Sequence, residues 1–195
     1  TVCPPASLTR LYSFLNSKEN VGVVGPRLVD GQDQPTISGG YFPRARFHWL
    51  GLLDPKRFFF RGPLADRIVF VPERSEPSHT VEYVMGACFM MPRTALESIG
   101  PLDEQFFMYF EETDWCWRAR ETGLDVWYCA ETEITHLEGG AAEQVSDFSL
   151  RQFQRSYREF LLKHLGRRSV PVFRLAQFAE YGLKSVLRRL APGDR

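Results

Sequence analysis

Apolar residues fall at Leu8, Leu11, Tyr12 and Leu15, a spacing that predicts a helix over 6–16. Pro4-Pro5 precedes it and Ser17-Lys18-Glu19-Asn20 follows, so both boundaries have local signals. From Val21 to Leu28 the helical period disappears. The run is almost continuously apolar and rich in β-branched residues, as expected of a strand buried on both faces. Asp30-Gly31 then signals a turn. Residues 32–80 keep no period and hold six prolines and four glycines, which predicts a long loop region serving as a binding or lid segment. Pattern returns over 81–91, an apolar run predicted to be a second buried strand. A short helix over 93–98 follows, terminated by Gly100-Pro101. A helix over 113–122 stops at Gly123, a strand is predicted over 125–129, and 134–136 is a candidate for another. Phe148, Phe153, Tyr157, Phe160, Leu161 and Leu165 keep helical spacing up to Gly166, and a further amphipathic helix is predicted over 171–190. Strands alternating with helices imply an α/β layered domain followed by a helical tail.

Composition sharpens this picture at one point. With 195 residues the chain can bury one good core, and its formal net charge is zero. That zero conceals a division: residues 1–150 carry 13 Lys and Arg against 21 Asp and Glu, whereas 151–195 carry 11 against 3. The expected organisation is an acidic globular part over 1–146 and a basic amphipathic tail over 147–195. Three readings of the tail stand side by side: docking on an anionic membrane surface, nucleic-acid binding, or an ordinary solvated face. No nucleic-acid recognition motif accompanies the charge, so no nucleic-acid partner is expected. Arg167-Arg168 and Arg188-Arg189 are the candidates for docking.

The four cysteines, Cys3, Cys88, Cys116 and Cys129, show no C-x-x-C spacing and are expected as free thiols in a reducing compartment. No apolar leader core opens the chain, and no stretch reaches ~18 apolar residues. A cytoplasmic protein, soluble or peripheral on the inner face of the cell membrane, is the expectation.

The candidate chemistry centres on Glu111-Glu112-Thr113-Asp114, set between Phe106-Phe107-Met108-Tyr109-Phe110 and Trp115-Cys116-Trp117-Arg118. Carboxylates in apolar surroundings are costly unless they are paired, exposed at an edge, or working. Two readings follow: acids placed to meet the positive end of a helix, or a general base. Glu112 shares a stripe with Trp115, Cys116 and Ala119, which turns it toward packed structure and places it ahead of Glu111 and Asp114 as the base. Arg118 and Arg120 are expected to be structural, pairing with nearby acids. His136 is either a satisfied core histidine or a ligand, with Gly139-Gly140 letting the backbone bend closely around a bound group. Gly86-Ala87, in an apolar run, permits the close approach of a neighbouring element. The aromatics Tyr41, Phe42, Phe47, Trp49 and Phe58-Phe59-Phe60 fit an acceptor surface or a core equally well.

Val84 to Arg93, Gly100 to Glu104, Phe106 to Arg118, Gly123 and His136 with Gly139-Gly140 together resemble bacterial glycosyltransferases of family 2, especially the rhamnosyltransferase-like branch. The resemblance covers roughly residues 1–165, and Val21 to Leu28 is similar to the strand after the nucleotide-binding half of that family. It implies the C-terminal half of a GT-A-type, Rossmann-like domain. The family's nucleotide-binding half, with its Asp-x-Asp-type motif, is expected upstream of Thr1, so the isolated chain is expected to be inactive. The resemblance also implies an inverting transfer of a sugar, with rhamnose a candidate, from a nucleotide-sugar donor to a hydroxyl of a cell-surface polysaccharide or lipid-linked glycan. Glu112 would be the base where the family commonly has Asp, with Glu111 and Asp114 beside it. His136 would help to hold a divalent metal, Mn²⁺ or Mg²⁺, and Gly86, Ala87 and Trp115 would lie at the sugar. The alternative is a non-catalytic membrane- or partner-docking module, or an inactive fragment of such an enzyme. A metal-dependent hydrolase would need a denser ligand cluster than one histidine supplies.

Overall fold

The computed structural model describes residues 1–43, 69–137, 147–175 and Phe178. Phe47, Trp49, Phe58-Phe59-Phe60, Gly139-Gly140 and Arg188-Arg189 lie outside the described residues. The chain forms two compact units, one of 1–42 with 69–159 and the other of 43–68 with 160–195.

The first unit is built on a parallel strand pair. Helix α1 (Ser7–Asn16) leads into β1 (Val21–Val29), all nine residues of which are buried. Strand β6 (Asp125–Thr135) pairs with it in parallel, from Val21 opposite Asp125 to Val29 opposite Thr135. The register shifts twice: a small slip between Val21 and Val23, and a larger one where Pro26 faces Cys129 while Arg27 faces Glu133. Ala130, Glu131 and Thr132 therefore bulge out of β6, and the two strands predicted at 125–129 and 134–136 are one irregular strand. Leu11, Phe14 and Leu15 of α1 pack on Val21, Val24 and Cys129 to form the core. The short β4 (His79–Thr80) adds to the other edge of β6 antiparallel, making a mixed sheet in the order β1-β6-β4.

A second, antiparallel sheet joins β3 (Val69–Phe70), β2 (Gly39–Gly40) and β5 (Tyr83–Val84) in the order β3-β2-β5. The apolar run at 81–91 is thus not one strand. Only Tyr83–Val84 joins a sheet, Gly86-Ala87 lies in a turn, and Met90 returns to bridge Val24 through two 2.8 Å backbone hydrogen bonds. An apolar run records burial, and here the burial is shared by a strand, a turn and a bridge. Gly25 explains how β5 comes so close to β1: a Cβ there would stand 2.6 Å from Val84 Cβ.

Helix α2 (Arg93–Ile99) ends at Gly100, whose φ of 89° is left-handed, and α3 (Glu111–Glu121) is followed by Gly123 at 86°. Helix α4 (Asp147–Phe160) belongs to the first unit as far as Glu159. Buried Arg27 ties β1 to its surroundings. It donates to Tyr128 Oη and Glu133 Oε1, each at 2.9 Å, and to the carbonyls of Arg74 and Glu76. Cys116 and Cys129 are buried, Cys88 is half-buried and Cys3 exposed, all as free thiols.

In the second unit the described segment opens with Phe160 and one π turn, Leu161–Leu165. Gly166 at φ 76° ends that turn, and residues 169–175 are helical. Ser169 Oγ joins the pieces, donating to Gly166 O at 2.7 Å and Leu161 O at 3.3 Å. Among the described residues no helix is long and apolar enough to cross a membrane. The α/β class is borne out, and a small mixed sheet with helices is consistent with part of a GT-A domain.

Candidate active site

The acidic cluster occupies the first turn of α3, and the chain reaches it through an unusual backbone. Tyr109 (φ 67°) and Phe110 (φ 69°) are both left-handed, although neither is glycine. Such residues cost of order 1–3 kcal/mol each and persist only where neighbours fix them. Here α4 does so. Ser156 Oγ donates to Met108 O at 2.7 Å, and the Phe153 ring lies 5.7 Å from Tyr109 and 5.4 Å from Phe110. Tyr157 lies 5.5 Å from Phe110 and stacks parallel to Phe153. The hydrogen bond from Asp114 N to Phe110 O, at 2.8 Å, opens the helix. Helix α3 runs back along β1, with Ala119 against Gly22, before β6 sets off parallel to β1. Its first turn therefore lies toward the carboxyl ends of the parallel strands, where open α/β sheets place ligands.

Glu112 is buried there, 8 % exposed, with its stripe partners Trp115, Cys116 and Ala119 also buried. Burial and, after it, the charge of Glu111 push its carboxyl up to about 8. Hydrogen bonds from its own N–H and from the N–H and hydroxyl of Thr113 pull in the other direction without cancelling the rise. Glu111 Oε2 is buried and has no hydrogen-bond partner among the described residues. A buried acceptor in that condition is suited to a hydroxyl arriving from a ligand or water. Tyr83 and Cys116 feel the same carboxylate, and burial pushes the Cys116 thiol up to about 12.

The other two members of the α3 cluster are used by the fold. Asp114 is fully buried and accepts from Arg118 Nε at 2.9 Å. Arg118 in turn donates to Ile99 O and Pro101 O, fastening α3 to the end of α2. Arg118 thus pairs with an acid as expected, whereas Arg120 bonds the backbone carbonyl of Val81. Trp115, expected at the sugar, is instead 0 % exposed, with its indole N–H donating to Gly100 O at 2.8 Å. The periodicity that turns Glu112 inward carries Trp115 deeper, into the core.

Gly86 lies against Glu112: a Cβ built on it would be 3.6–3.8 Å from the Glu112 side chain. The next residue, Ala87, offers its carbonyl to Thr1 Oγ1 at 3.2 Å, and that hydroxyl is also 3.2 Å from His136 Nδ1. Glu112, Gly86, Ala87, Thr1 and His136 therefore form a chain of neighbours, closed at the strand end by the His136 N–H donating to Val29 O. The sequence reading missed Thr1, Thr113, Tyr83 and the α4 contacts. Thr113 was detectable as a first-turn hydroxyl, but the others are joined to the site by long-range contacts without a local signal.

The described residues do not by themselves fit a divalent cation. No group of three or more His, Cys, Asp or Glu side chains is gathered among them, and His136 contributes one imidazole. An open groove of about 400 Å³ lined by Pro4, Pro5, Ser7, Arg10 and residues 130–133 contains none of the candidate residues.

A buried carboxyl and an acceptor oxygen without a partner among the described residues, beyond the parallel strands of an α/β layer, make up the candidate site for a ligand. The relatives of the chain bear on which ligand. The low-salt glycan biosynthesis hexosyltransferase Agl10 of Haloferax volcanii is 25% identical over 129 residues, which are 66% of this chain and 37% of that protein. The N-acetylglucosaminyl-diphospho-decaprenol L-rhamnosyltransferase of Mycobacterium tuberculosis is 29% identical over 136 residues, 68% of this chain and 42% of that protein. No family model matches. The curated relatives are glycosyltransferases, in agreement with the resemblance read from the sequence, and the chain spans about two fifths of their length.

Proposed function

We propose that this chain carries the acceptor side of an inverting glycosyltransferase that uses a nucleotide-sugar donor, with Glu112 as the general base. The observation that carries the reading is the Glu112 carboxyl, buried beside Glu111 and raised to about 8. A base with that affinity for a proton is matched to removing one from an alcohol as it becomes a nucleophile. The acceptor hydroxyl would lie against the Glu111–Glu112 pair and donate its hydrogen bond to the ionised Glu112 carboxylate, with Gly86 leaving room beside it and Glu111 Oε2 open to a second hydroxyl of the acceptor. As the hydroxyl oxygen bonds to the anomeric carbon, its proton passes to Glu112. The bond from that carbon to the diphosphate oxygen breaks with its electron pair, on the opposite face, giving inversion. The glycosyltransferase relatives support the reaction class, and the relative named for a diphospho-decaprenol acceptor supports a lipid-linked glycan as acceptor and rhamnose as a candidate sugar.

The test is Glu112→Gln in the protein at its full encoded length, assayed by transfer from nucleotide-sugars. Turnover should fall about 10²–10⁴-fold with donor affinity nearly unchanged, and Glu111→Gln should be milder. Near-normal turnover in Glu112→Gln would remove the assignment.

A further inference from the structure

We propose that Ser156, with the Phe153 and Tyr157 rings, is the positioning group for Glu112: it holds Met108 to Phe110 in place and so fixes where the first turn of α3 points. The inference rests on the reading of Glu112 as the base. Helix α3 is held along its body, where Arg120 bonds Val81 O among other ties, and at its start. Toward its far side, Trp115 and Arg118 bond the carbonyls of Ile99, Gly100 and Pro101. At its start, Phe110 precedes the first turn without a side-chain cap hydrogen bond. What grips that start is α4. Ser156 is 3 % exposed and its hydroxyl is committed to Met108 O, the carbonyl directly before the left-handed pair. The Phe153 ring touches both Tyr109 and Phe110, and Tyr157 completes the cluster. An uncapped, left-handed start leaves first-turn N–H groups open, and two of them, on Glu112 and Thr113, are the donors that favour the ionised Glu112 carboxylate.

If the grip on Met108 is lost, the left-handed pair is free to relax toward ordinary backbone and the two donors leave the carboxylate. Ionisation then becomes harder. Among the described residues, the titratable groups that face Glu112 include Glu111 and Cys116 from α3 and Tyr83 from β5. Arg151, Arg155 and Arg158 of α4 are exposed. Removing the Ser156 hydroxyl therefore changes no charge near the carboxyl, and its effect would pass through backbone geometry alone.

The test follows the carboxyl itself, by NMR of isotopically labelled glutamate carboxyl carbons in the chain, with Glu112→Gln assigning the resonance. In Ser156→Ala the Glu112 midpoint should rise by about half a pH unit or more, and Ser156→Thr, which keeps the hydroxyl, should restore it. A side chain that only supports the fold would lower the melting temperature and leave the midpoint in place. An unchanged midpoint in folded Ser156→Ala, or an equal rise in Ser156→Thr, overturns the proposal. If Ser156→Ala does not fold, Phe153→Leu is judged by the same midpoint. The measurement needs no turnover, so it can fail while Glu112→Gln still abolishes transfer, and the reverse is equally visible.

Discussion

In the unfolded chain Glu112 titrates near the ordinary 4.5, whereas in the folded protein burial beside Glu111 raises it to about 8. Between those values the unfolded state releases a proton that the native state keeps. The stability contributed by this group is therefore complete at low pH and declines as pH rises from about 4.5 to about 8. Glu112→Gln removes that titration. At pH 8 it should be more stable than the parent, on the order of a few kcal/mol at most, by urea denaturation across pH. Acids placed only to meet a helix dipole behave the other way, since neutralising one lowers stability. A variant that gains stability and loses turnover together would mark a working residue. The acidic limb of kcat/KM should lie near pH 8 and vanish with the side chain. Trp115 gives the contrasting case. Trp115→Phe leaves Gly100 O without its donor and should lose about 1–2 kcal/mol in denaturation. It should leave the acceptor KM unchanged, because the indole is wholly buried.

At the scale of elements, the meeting of β1 and β5 brings the Gly86 turn to Glu112, and that meeting depends on Gly25. An added Cβ would stand 2.6–3.2 Å from the Cβ and both γ carbons of Val84, so Gly25→Ala must displace β5. It should destabilise by about 1–3 kcal/mol, read as a lower melting temperature. How much of this was legible in the sequence follows from the range of each determinant. Helices α1, α2 and α3 were readable from local period and from Gly100 and Gly123 at their ends, and β1 from its uninterrupted apolar run. The strand expected over 81–91 was misread because apolar continuity reports burial and is silent on pairing, which here goes to Gly39–Gly40 at one end and Val24 at the other. The division of β6 was misread because the bulge at 130–132 imitates a loop. At the site, the inward stripe through Glu112 was readable at helical spacing. The left-handed pair, Tyr83 and the hold of Ser156 on Met108 were not, since each depends on tertiary contacts that leave no local period.

At the scale of the whole molecule, the charge is divided along the chain, and 151–195 carry 11 Lys and Arg against 3 Asp and Glu. Within the second unit the described part of this segment exposes Arg167, Arg168 and Arg174, together with the apolar Val172, Leu175 and Phe178. Exposed basic and large apolar side chains on one short stretch suit an anionic membrane surface, where the charges attract and the apolar groups enter the headgroup boundary. Each basic group near such a surface contributes about 1 kcal/mol at best, and salt screens it over about 10 Å. Sedimentation with liposomes should therefore increase with anionic lipid content and fall as salt is raised. Reversing Arg167, Arg168, Arg188 and Arg189 to Glu should abolish it while the melting of the first unit stays in place. Phe178→Ser should weaken it at every salt concentration, because the apolar contribution is not screened. Binding that ignores salt and the four reversals would overturn the electrostatic account. Absence of binding at low salt would assign this segment to a protein partner or to packing, and would remove the physical reason for placing lipid-linked acceptor chemistry at a membrane surface.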